Sequence, residues 1–506
     1  MIQAHLAIGV DVGTTGCRAC VLSAAGEAVA TAAVPYEPDR PRPGWAEQDP
    51  EVWWRAFCDA ARQVTAGGAA KRLAAVAVSA QSTALVPVDE AGRPVRRAII
   101  WQDTRSAAEC AEIAERFGAE RVRDIIGWPP ATFLVWPKVL WLARHEPAVL
   151  RRSRWLLQAG NFITHRLCGR MVLDRANAVG YPMDLEALAW SSELTARRSF
   201  PTGKVPPVAP STAVVGRVSA DAAAHCGLPE GLPVVAGGMD TACAALAVGA
   251  FRPGRAFEVS GTSGGIGIIS ERPSTDRALG VAPHLLEGLY INHAPMSAAG
   301  ASLAWCRDVL CASESRPVGG ERVDPFELME REVAGLTDGP TGLLFLPYMA
   351  GERAPVWDAQ ARGAIVGLTL ATSRPQVIKA VMEGVGYALR QNIDIAEAGG
   401  LNVADLRSCG GGSRSEAWCR IKADITARRF IVYPPERDAA FGAALLAGVG
   451  AELWSLDEGD AALERCRPRV YSPRPEVAAR YARYQRAYDG LYSHLRSLLP
   501  AAPDTD

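Results

Sequence analysis

The amino-acid sequence predicts an α/β fold of two related domains with a ligand cleft between them. The chain has 506 residues, which is enough for two large domains with cores of their own. Apolar runs of strand length alternate with helical patterns from the start of the chain. One motif also occurs twice, because an aspartate lies close to a Gly-Thr turn at residues 11–16 and again at residues 237–265. A repeated motif within a repeated strand pattern indicates two domains of similar architecture.

The N-terminal part of the chain contains the elements of one such domain in order. Strands are predicted at residues 6–12, 18–23 and 28–34. A helix is predicted at residues 49–64, because its first two residues are a capping aspartate and a proline. Residues 73–79 are almost continuously apolar, which is typical of a strand in a sheet covered on both faces. Three strands, a crossover helix and a further strand begin a ribonuclease H-like, or actin-like, domain.

The second half of the chain repeats this pattern. Strands at residues 256–260 and 265–269 bracket a Gly-Thr-Ser-Gly turn. Long helices are predicted at residues 297–310 and 375–398. Residues 406–413 are a strand that enters a glycine turn, and a further helix follows it. The second domain is therefore expected to resemble the first.

We divide the chain into an N-terminal domain at residues 1–250, a C-terminal domain at residues 251–474 and a terminal segment at residues 475–506. The boundary follows from the Arg-Pro-Gly sequence at residues 252–254. The terminal segment is predicted to be one helix with a frayed tail, and its tyrosines recur at mostly helical spacing. We expect that tyrosine stripe to pack back against the N-terminal domain.

Composition and charge favour an ordinary globular protein of the cytoplasm. The net charge is −1 and 22% of residues are charged, without a basic stripe or a cationic amphipathic helix, so neither nucleic acid nor a membrane surface is an expected partner. The start of the chain lacks the charged region of a signal peptide. The 12 cysteines are expected to be free thiols in a reducing compartment. Cys17 and Cys20 lie three apart on a strand, so they should face opposite sides of it and pack in the core.

The two Gly-Thr turns indicate phosphate chemistry. Glycine lets backbone amides approach an anion closely, and Thr or Ser hydroxyls add donors. Two such turns that face each other would bind a polyphosphate, and the nearby carboxylates of Asp11 and Asp240 would remain for metal and proton work. The chain has neither a Gly-x4-Gly-Lys-Ser/Thr loop nor a Gly-x-Gly-x-x-Gly fingerprint at its glycine-rich strand ends. A nucleotide-dependent phosphotransferase is therefore predicted.

Three further features each have two interpretations. Asp240 precedes a run of small residues, where it can cap a helix, act as a general base or do both. The glycine turn at residues 410–413 is either only a tight turn or a platform on which an adenosine lies. Trp101, Asp103 and Arg105 follow a strand, where such residues can bind a polyol or form surface ion pairs.

Read together, these motifs resemble the FGGY family of carbohydrate kinases, in the superfamily of sugar kinases, heat-shock proteins and actin, and within that family the branch of xylulokinases. The resemblance covers nearly the whole chain. The matching motifs lie at residues 11–15, 45–50, 100–105, 137–141, 237–240, 261–263, 345–353, 363–368, 383–387 and 410–415.

The resemblance implies ATP bound mainly by the C-terminal domain, a small sugar bound mainly by the N-terminal domain, and Mg²⁺ beside Asp11. It makes Asp240 the catalytic proton acceptor and Asp11 the second catalytic carboxylate. The ATP-binding residues that the resemblance and the glycine turns imply are Gly13, Thr14, Thr15, Arg18, Gly261, Thr262, Gly300, Gly411, Gly412 and Glu416. The substrate-binding residues are Gln81, Ser82, Thr83, Trp101, Asp103 and Asp240.

One departure from the family bears on the sugar. Xylulokinases carry Gln-Met-His-Gly where this chain has Gln81, Ser82, Thr83 and Ala84. D-xylulose is the first expectation, and D-ribulose, another ketose, erythritol, glycerol and gluconate are the alternatives. A homodimer is a further expectation. The rival class is a non-enzymatic, actin-like nucleotide switch, which would have no need of Asp240 or of the cluster around Trp101.

Overall fold

The computed structural model describes residues 5–196, 200–311, 324–336 and 338–498. The strands are β1 (Leu6–Val12), β2 (Gly16–Ser23), β3 (Ala28–Pro35), β4 (Glu47–Gln48), β5 (Leu73–Ala80), β6 (Val86–Val88), β7 (Ala98–Ile99), β8 (Trp155–Leu157), β9 (Leu173–Asp174), β10 (Val208–Ala209), β11 (Val214–Arg217), β12 (Pro233–Met239), β13 (Arg255–Ser260), β14 (Gly264–Ser270), β15 (Gly280–Pro283), β16 (Tyr290–Met296), β17 (Leu344–Leu346), β18 (Ala364–Val366), β19 (Asp405–Cys409), β20 (Arg429–Val432) and β21 (Arg469–Tyr471). The helices are α1 (Pro50–Thr65), α2 (Ala107–Phe117), α3 (Ala119–Ile126), α4 (Val135–His145), α5 (Pro147–Arg152), α6 (Ala159–Cys168), α7 (Ala220–Cys226), α8 (Asp240–Ala247), α9 (Gly300–Leu310), α10 (Pro325–Ala334), α11 (Arg374–Ala398), α12 (Glu416–Thr426), α13 (Ala439–Gly450), α14 (Leu456–Arg465) and α15 (Pro475–Leu495).

Two mixed sheets repeat one topology. In the N-terminal sheet, β1 is antiparallel to β2 and parallel to β5, β2 is antiparallel to β3, and β5 is parallel to β12. In the C-terminal sheet, β13 is antiparallel to β14 and parallel to β19, β14 is antiparallel to β16, and β19 is parallel to β20. The strands β11, β15 and β21 add antiparallel edges. The predicted fold of two ribonuclease H-like domains is confirmed.

Local sequence signals explain where the first crossover helix begins. The side chain of Asp49 accepts a hydrogen bond from the amide of Glu51 at 3.0 Å, and Pro50 occupies the first turn, where its missing N–H costs nothing. Trp53 and Phe57 on the inner face are fully buried in the core cluster that includes β1 and β2. The predicted helix at residues 49–64 is thus present with its apolar face on the sheet.

The helices α8 and α13 pack against each other and join the two domains. Each follows the last parallel strand of its own domain, and α13 also crosses β1 of the N-terminal sheet. A Cβ atom at Gly9 would lie 2.1 Å from backbone atoms of Ala440 and Ala444, and one at Gly442 would lie 1.8 Å from the carbonyl oxygen of Cys243. Only glycine permits this close approach, so these two positions fix the contact between the domains.

The prediction that the terminal helix packs on the N-terminal domain is wrong. Helix α15 lies against α11, α12 and β17 of the C-terminal domain. Tyr481 donates a hydrogen bond to Glu383 at 3.0 Å, and Tyr492 donates one to Asp358 at 2.7 Å. The tyrosine stripe does form a packing surface, but the spacing of a stripe carries no information about which surface it covers. The predicted frayed tail at residues 500–506 lies outside the described residues.

Three further observations concern a helix start, the two cysteines of β2 and the length of the helices. The helix predicted from residue 297 begins at Gly300, because residues 297–299 join β16 to it. Cys17 and Cys20 are both buried and belong to different core clusters, which confirms that they face opposite sides of β2. Among the described helices, none is long and apolar enough to cross a lipid bilayer.

Candidate active site

Two cavities meet between the domains. The first has a volume of about 880 Å³ and is termed the glycine-turn cavity, because Gly410 and Gly411 line it. The second has a volume of about 780 Å³ and is termed the tryptophan cavity, because Trp101 and Trp128 line it. Asp240 and Thr241 line both cavities. A reacting group at Asp240 can therefore be reached by two ligands at once.

A strand irregularity delivers Asp240 to this position. The pairing of β12 with β5 shifts register between Val235 and Gly238, and Gly237 has a φ of +82°. A Cβ atom at residue 237 would lie 2.0 Å from the carbonyl oxygen of Val78, so glycine is required there. The strand then ends at Met239, and Asp240 opens α8. Its carboxylate accepts hydrogen bonds from the amide of Thr241 at 2.7 Å and from the Thr241 hydroxyl at 3.2 Å.

The electrostatics of the site suit proton transfer near neutral pH. Burial raises the pKa of Asp240 to about 6, although the hydrogen bonds from Thr241 lower it in part. Burial and then the charge of Asp240 raise the pKa of Asp11 to about 7, while the hydroxyl of Ser79 at 2.7 Å from Asp11 Oδ1 opposes the shift. A carboxylate with a raised pKa is a better proton acceptor than one exposed to water.

Asp11 fits a hydrated magnesium ion better than a protein-enclosed metal site. It ends β1 beside the first Gly-Thr turn and lines the glycine-turn cavity. Over the part of the chain that the structure describes, no group of three or more histidine, cysteine or acidic side chains could hold a metal. Magnesium usually binds through one or two carboxylates, several waters and substrate phosphates. The single carboxylate of Asp11, in a cavity large enough for a polyphosphate, matches this mode of magnesium binding.

The glycine-turn cavity is lined by five arginines, which a polyphosphate can use as counter-charge, and by the acidic side chains of Asp11, Asp240, Glu436 and Asp438. Its arginine lining consists of Arg18, Arg414, Arg437, Arg467 and Arg469. Arg18 from the N-terminal sheet forms an ion pair at 3.6 Å with Asp438, which caps α13 of the C-terminal domain. The remaining guanidinium groups supply planar donors of the kind that bind phosphate oxygens.

The glycine turn itself forms a flat surface in this cavity. A Cβ atom at Gly410 would lie 3.1 Å from the carbonyl oxygen of Ser260, and one at Gly412 would lie 2.6 Å from the Ser260 side chain. Gly411 has no atom within 4 Å of its Cβ position and lines the cavity. The turn therefore packs tightly on β13 and leaves an open, side-chain-free face. Glu416 begins α12 behind it and pairs with Arg469 at 3.4 Å on the surface.

The first Gly-Thr turn lies between the two cavities, because Asp11 and Arg18 on either side of it line the glycine-turn cavity and Thr14 lines the tryptophan cavity. The amide of Gly13 donates to the carbonyl of Gly16 at 2.9 Å, which closes the turn, and Thr15 is exposed at its tip. Thr14, however, lines the tryptophan cavity, where its hydroxyl accepts from Trp101 Nε1 at 2.9 Å. The structure thus places the Thr14 side chain in the tryptophan cavity, and its assignment to the nucleotide stays a prediction.

The second Gly-Thr turn is held by the start of α9. The amides of Gly300 and Ala301 donate to the carbonyls of Gly261 and Thr262 at 3.0 and 2.9 Å. A Cβ atom at Gly300 would lie 2.4 Å from the Gly261 carbonyl oxygen, so glycine allows the helix end to contact the turn. Thr262 is exposed at the tip of this turn, as Thr15 is at the tip of the first.

The tryptophan cavity contains three of the predicted substrate residues besides Asp240. Ser82, Thr83 and Trp101 line it, and the peptide bond between Ser82 and Thr83 is cis. The C-terminal domain contributes Arg353, whose guanidinium also donates to the carbonyl of Met296 at 2.7 Å. Hydroxyls, an indole ring and a carboxylate in one cavity can bind a polyol by hydrogen bonds and stacking.

Gln81 and Asp103 lie behind the wall of this cavity rather than in it. Gln81 is 1% exposed and Asp103 is 0% exposed. The Asp103 carboxylate accepts from the amide of Ala46 at 2.6 Å and from Arg105 at 2.7 Å. The structure brings neither side chain into the cavity, because their polar atoms are occupied by the protein, and contact of Gln81 or Asp103 with the substrate stays a prediction. The alternative of an ion pair for Asp103 and Arg105 is correct, although the pair is buried and not on the surface.

Sequence reasoning missed a buried ion pair beneath the glycine turn. Lys422 Nζ lies 2.6 Å from Glu258 Oε1 and 2.5 Å from Ser260 Oγ, and it also lies over the ring of Trp418. The second carboxylate oxygen of Glu258 accepts from Ser408 at 2.8 Å. This cluster ties β13, β19 and α12 together under the glycine turn at residues 410–413. A glutamate within an otherwise apolar strand was the available signal.

Lys138 was also missed, although it lies within one of the motifs noted above. Its ammonium group is 0% exposed and donates to the carbonyls of Thr83 and Phe133, each at 2.8 Å. Burial lowers its pKa to about 7. Lys138 thereby joins two segments that line the tryptophan cavity.

The protein has two domains of the actin type, and the Asp240 carboxylate lines both the glycine-turn cavity and the tryptophan cavity. This arrangement defines a phosphotransferase of the sugar-kinase class. The N- and C-terminal domain models of the FGGY family of carbohydrate kinases match residues 6–247 and 256–451. The chain belongs to the FGGY family and is an ATP-dependent carbohydrate kinase.

The curated relatives of the chain are named after different substrates. The chain is 30% identical to a xylulose kinase of Escherichia coli over 498 residues, covering 97% of this chain and 99% of the relative. It is 28% identical to a gluconokinase of Bacillus licheniformis, covering 87% and 86%. The solved xylulose kinase from Rhodospirillum rubrum has a TM-score of 0.89 at 31% identity and covers 98% of this chain and 100% of its own.

Proposed function

We propose that this protein phosphorylates a pentulose, with D-xylulose as the first choice, to form D-xylulose 5-phosphate and ADP. The observation that supports a transfer reaction most directly is the position of Asp240, which lines both cavities. The substrate choice is supported by the xylulose kinases among the relatives and by a cavity lined with hydroxyls and indole rings.

In this proposal Asp240 accepts the proton of the sugar hydroxyl as its oxygen attacks the γ-phosphorus of ATP in line. One O–P bond forms, the bond from the γ-phosphorus to the bridging oxygen breaks, and ADP leaves with that electron pair. The hydrogen bonds from Thr241 hold the carboxylate in place. Most of the remaining acceleration comes from positioning and charge neutralisation.

In this proposal the residues of the glycine-turn cavity bind and orient the nucleotide. The two Gly-Thr turns, whose residues Thr14 and Ser263 line the adjoining tryptophan cavity, would lie beside the terminal phosphates, and Gly411 offers the face on which the adenosine lies. Asp11 would hold Mg²⁺, which supplies counter-charge to the phosphates when it is bound. Arg18 reaches the cavity from the N-terminal sheet, so the phosphates contact both domains.

The experiment is an assay of ADP release with D-xylulose, D-ribulose, erythritol, glycerol and gluconate, each at saturating ATP and Mg²⁺. We expect ADP production to depend on an added sugar and kcat/KM to be highest for D-xylulose. Release of ADP at one rate with and without every sugar would contradict kinase activity towards these compounds. A higher kcat/KM for another compound would replace D-xylulose and leave the transfer chemistry in place.

A further inference from the structure

Several hydroxyl side chains line the N-terminal side of the tryptophan cavity, and for three of them, termed the acceptor wall together with Asp240, the direction of the hydroxyl proton can be assigned from its partners. The three residues are Thr14, Ser82 and Thr83. Donor groups of Arg40, Gln102 and Trp128 line the same cavity and are not part of this wall. A hydroxyl that donates its proton to a protein acceptor offers only lone pairs to a ligand. The buried partners behind this wall therefore decide which ligand groups the wall can bind.

The proton of Thr14 is directed to Gln81. The Gln81 amide nitrogen donates to the carbonyl of Gly13 at 3.1 Å and to Gln48 Oε1 at 2.7 Å. Gln81 Oε1, at 3.3 Å from Thr14 Oγ1, must therefore accept. The orientation of Gln48 is fixed in turn, because its Oε1 also accepts from the indole of Trp53 at 3.1 Å. Thr14 consequently faces the cavity as an acceptor.

The proton of Ser82 is directed to Asn177. Asp174 accepts from the amide nitrogen of the Asn177 side chain at 2.8 Å, from the Asn177 backbone at 3.0 Å and from the Asn161 side chain at 3.1 Å. The backbone of Asn177 and the side chain of Asn161 hold the Asp174 carboxylate, and the bond from Asn177 Nδ2 to it orients the Asn177 amide, so that Asn177 Oδ1 accepts from Ser82 Oγ, 3.1 Å away. Asn161, Asp174 and Asn177 are each 1% exposed, so solvent does not compete for these bonds.

The proton of Thr83 is directed to the backbone. Its hydroxyl donates to the carbonyl of Phe133, which can only accept. Lys138 donates to the same carbonyl and to the carbonyl of Thr83, and so holds both segments in register. Beside these hydroxyls, Asp240 adds a carboxylate whose nearest protein donor is Thr241. The wall thus presents three hydroxyl oxygens and a carboxylate, all as acceptors.

We propose that Thr14, Ser82, Thr83 and Asp240 bind the substrate only through its hydroxyl protons, and that Asn177 is a positioning residue that keeps Ser82 an acceptor. The proposal rests on the sugar-kinase function above and specifies what part of the sugar the wall binds. Carbons that face Thr14, Ser82, Thr83 and Asp240 carry free hydroxyls, whereas a carbonyl or carboxylate oxygen faces the opposite wall. A buried acceptor without a donor is costly, so analogues that lack these hydroxyls are rejected.

The test compares two replacements of each hydroxyl in whichever compound of the sugar panel binds most tightly. A deoxy analogue removes donor and acceptor, whereas a deoxyfluoro analogue removes the donor and keeps a weak acceptor. Binding to the full-length protein is measured by calorimetry. We expect at least one position at which both analogues bind about tenfold more weakly than the parent, with the fluoro analogue no better than the deoxy analogue. A fluoro analogue that binds better at every position, or a panel without any binder, overturns the proposal.

The variant Asn177→Leu provides a readout that a purely structural role would not change. It frees the Ser82 proton, so Ser82 can donate, and the fluoro analogue at the Ser82 position should then bind better than the deoxy analogue. Asn392→Leu is the matched control, because Asn392 is buried in the C-terminal domain and neither of its side-chain polar atoms has a partner. In a Ser82→Ala background, Asn177→Leu should have no further effect on this ratio. An unchanged ratio in Asn177→Leu, or an equal change in Ser82→Ala/Asn177→Leu, overturns the role of Asn177.

This test separates the two proposals. If D-xylulose fails as a substrate while another sugar binds with the expected analogue pattern, the pentulose assignment fails and the acceptor wall stands. If D-xylulose is phosphorylated and its fluoro analogues bind better than its deoxy analogues at every position, the acceptor wall fails and the kinase assignment stands.

Discussion

The substitution Asp240→Asn tests the centre of the proposed reaction. Asparagine keeps the shape of the side chain and can still accept the hydrogen bond from Thr241, but it cannot accept a proton. A positioned base contributes about 10²–10⁴-fold to turnover. We therefore expect kcat to fall by that factor, which corresponds to roughly 3–5 kcal/mol of barrier. Nucleotide binding should survive, because the arginines and the glycine turn that line the glycine-turn cavity are unchanged.

The pH dependence makes the same prediction quantitative. With the pKa of Asp240 raised to about 6, the base is protonated as the pH falls. Only about one tenth of it remains ionised at pH 5, so kcat/KM of the free enzyme should fall about tenfold from that group alone. Asp11, with a pKa of about 7, steepens this limb, since the two carboxylates titrate as a pair. In Asp240→Asn the limb should become shallower and move to lower pH, because the charge that raises the pKa of Asp11 is gone.

The assay is coupled ADP release between pH 5 and pH 9, with nucleotide affinity measured separately by calorimetry. Asp457→Asn is the matched control, because Asp457 is exposed, pairs with Arg252 and lines neither cavity. Near-normal turnover of Asp240→Asn, or an acid limb identical to that of the unmodified protein, would refute the reasoning.

Three further predictions concern stability and are checked by urea or thermal unfolding. Gly442→Ala should lower the free energy of unfolding by about 3 kcal/mol, because its Cβ would lie 1.8 Å from a backbone oxygen of α8. The control Gly203→Ala, whose Cβ would have nothing within 4 Å, should change the free energy of unfolding by less than about 0.5 kcal/mol. Equal effects of the two substitutions would contradict the packing argument. Lys422→Met leaves the carboxylate of Glu258 buried and unpaired, so we expect a loss of about 3–5 kcal/mol, and adding Glu258→Gln should recover part of it; no recovery would count against the ion pair. The folded-state pKa of Asp11 is raised from 3.8 to about 7, so this group disfavours folding increasingly as the pH rises through that window. Asp11→Asn should therefore raise Tm at pH 8 and change it little at pH 3.5, and a uniform change at both pH values would contradict the shift.

Much of the fold could be read from the chain because its signals are local. The almost continuous apolar runs at 6–12 and 73–79 have the length and composition of strands covered on both faces, and Asp49 and Pro50 mark a helix start with groups from the same turn. The positions of Asp11 and Asp240 at strand ends followed from the glycines beside them. Since parallel strands end at one edge of a sheet, such residues converge without any knowledge of distant contacts.

The directions of the polar side chains at the site could not be predicted, because they depend on partners far away in the chain. The direction of Thr14 is set by Trp101 and Gln81, which belong to other strand ends, and no local pattern specifies that pairing. Asp103 has the residue type of a sugar ligand, but its carboxylate is consumed by Arg105 and the amide of Ala46. Whether a polar group faces a ligand or another side chain depends on which donors the fold places around it.

The sequence by itself determined the two-domain architecture, the two Gly-Thr turns and the carboxylates beside them, because glycine conformation, strand period and helix capping act over a few residues. Only the tertiary structure decided that α15 covers the C-terminal domain, that Lys422 neutralises Glu258 under the glycine turn, and that Thr14, Ser82 and Thr83 donate their hydroxyl protons to the protein. Those outcomes depend on packing and on hydrogen-bond partners that the fold brings together from distant parts of the chain, which is why residue type and spacing do not contain them.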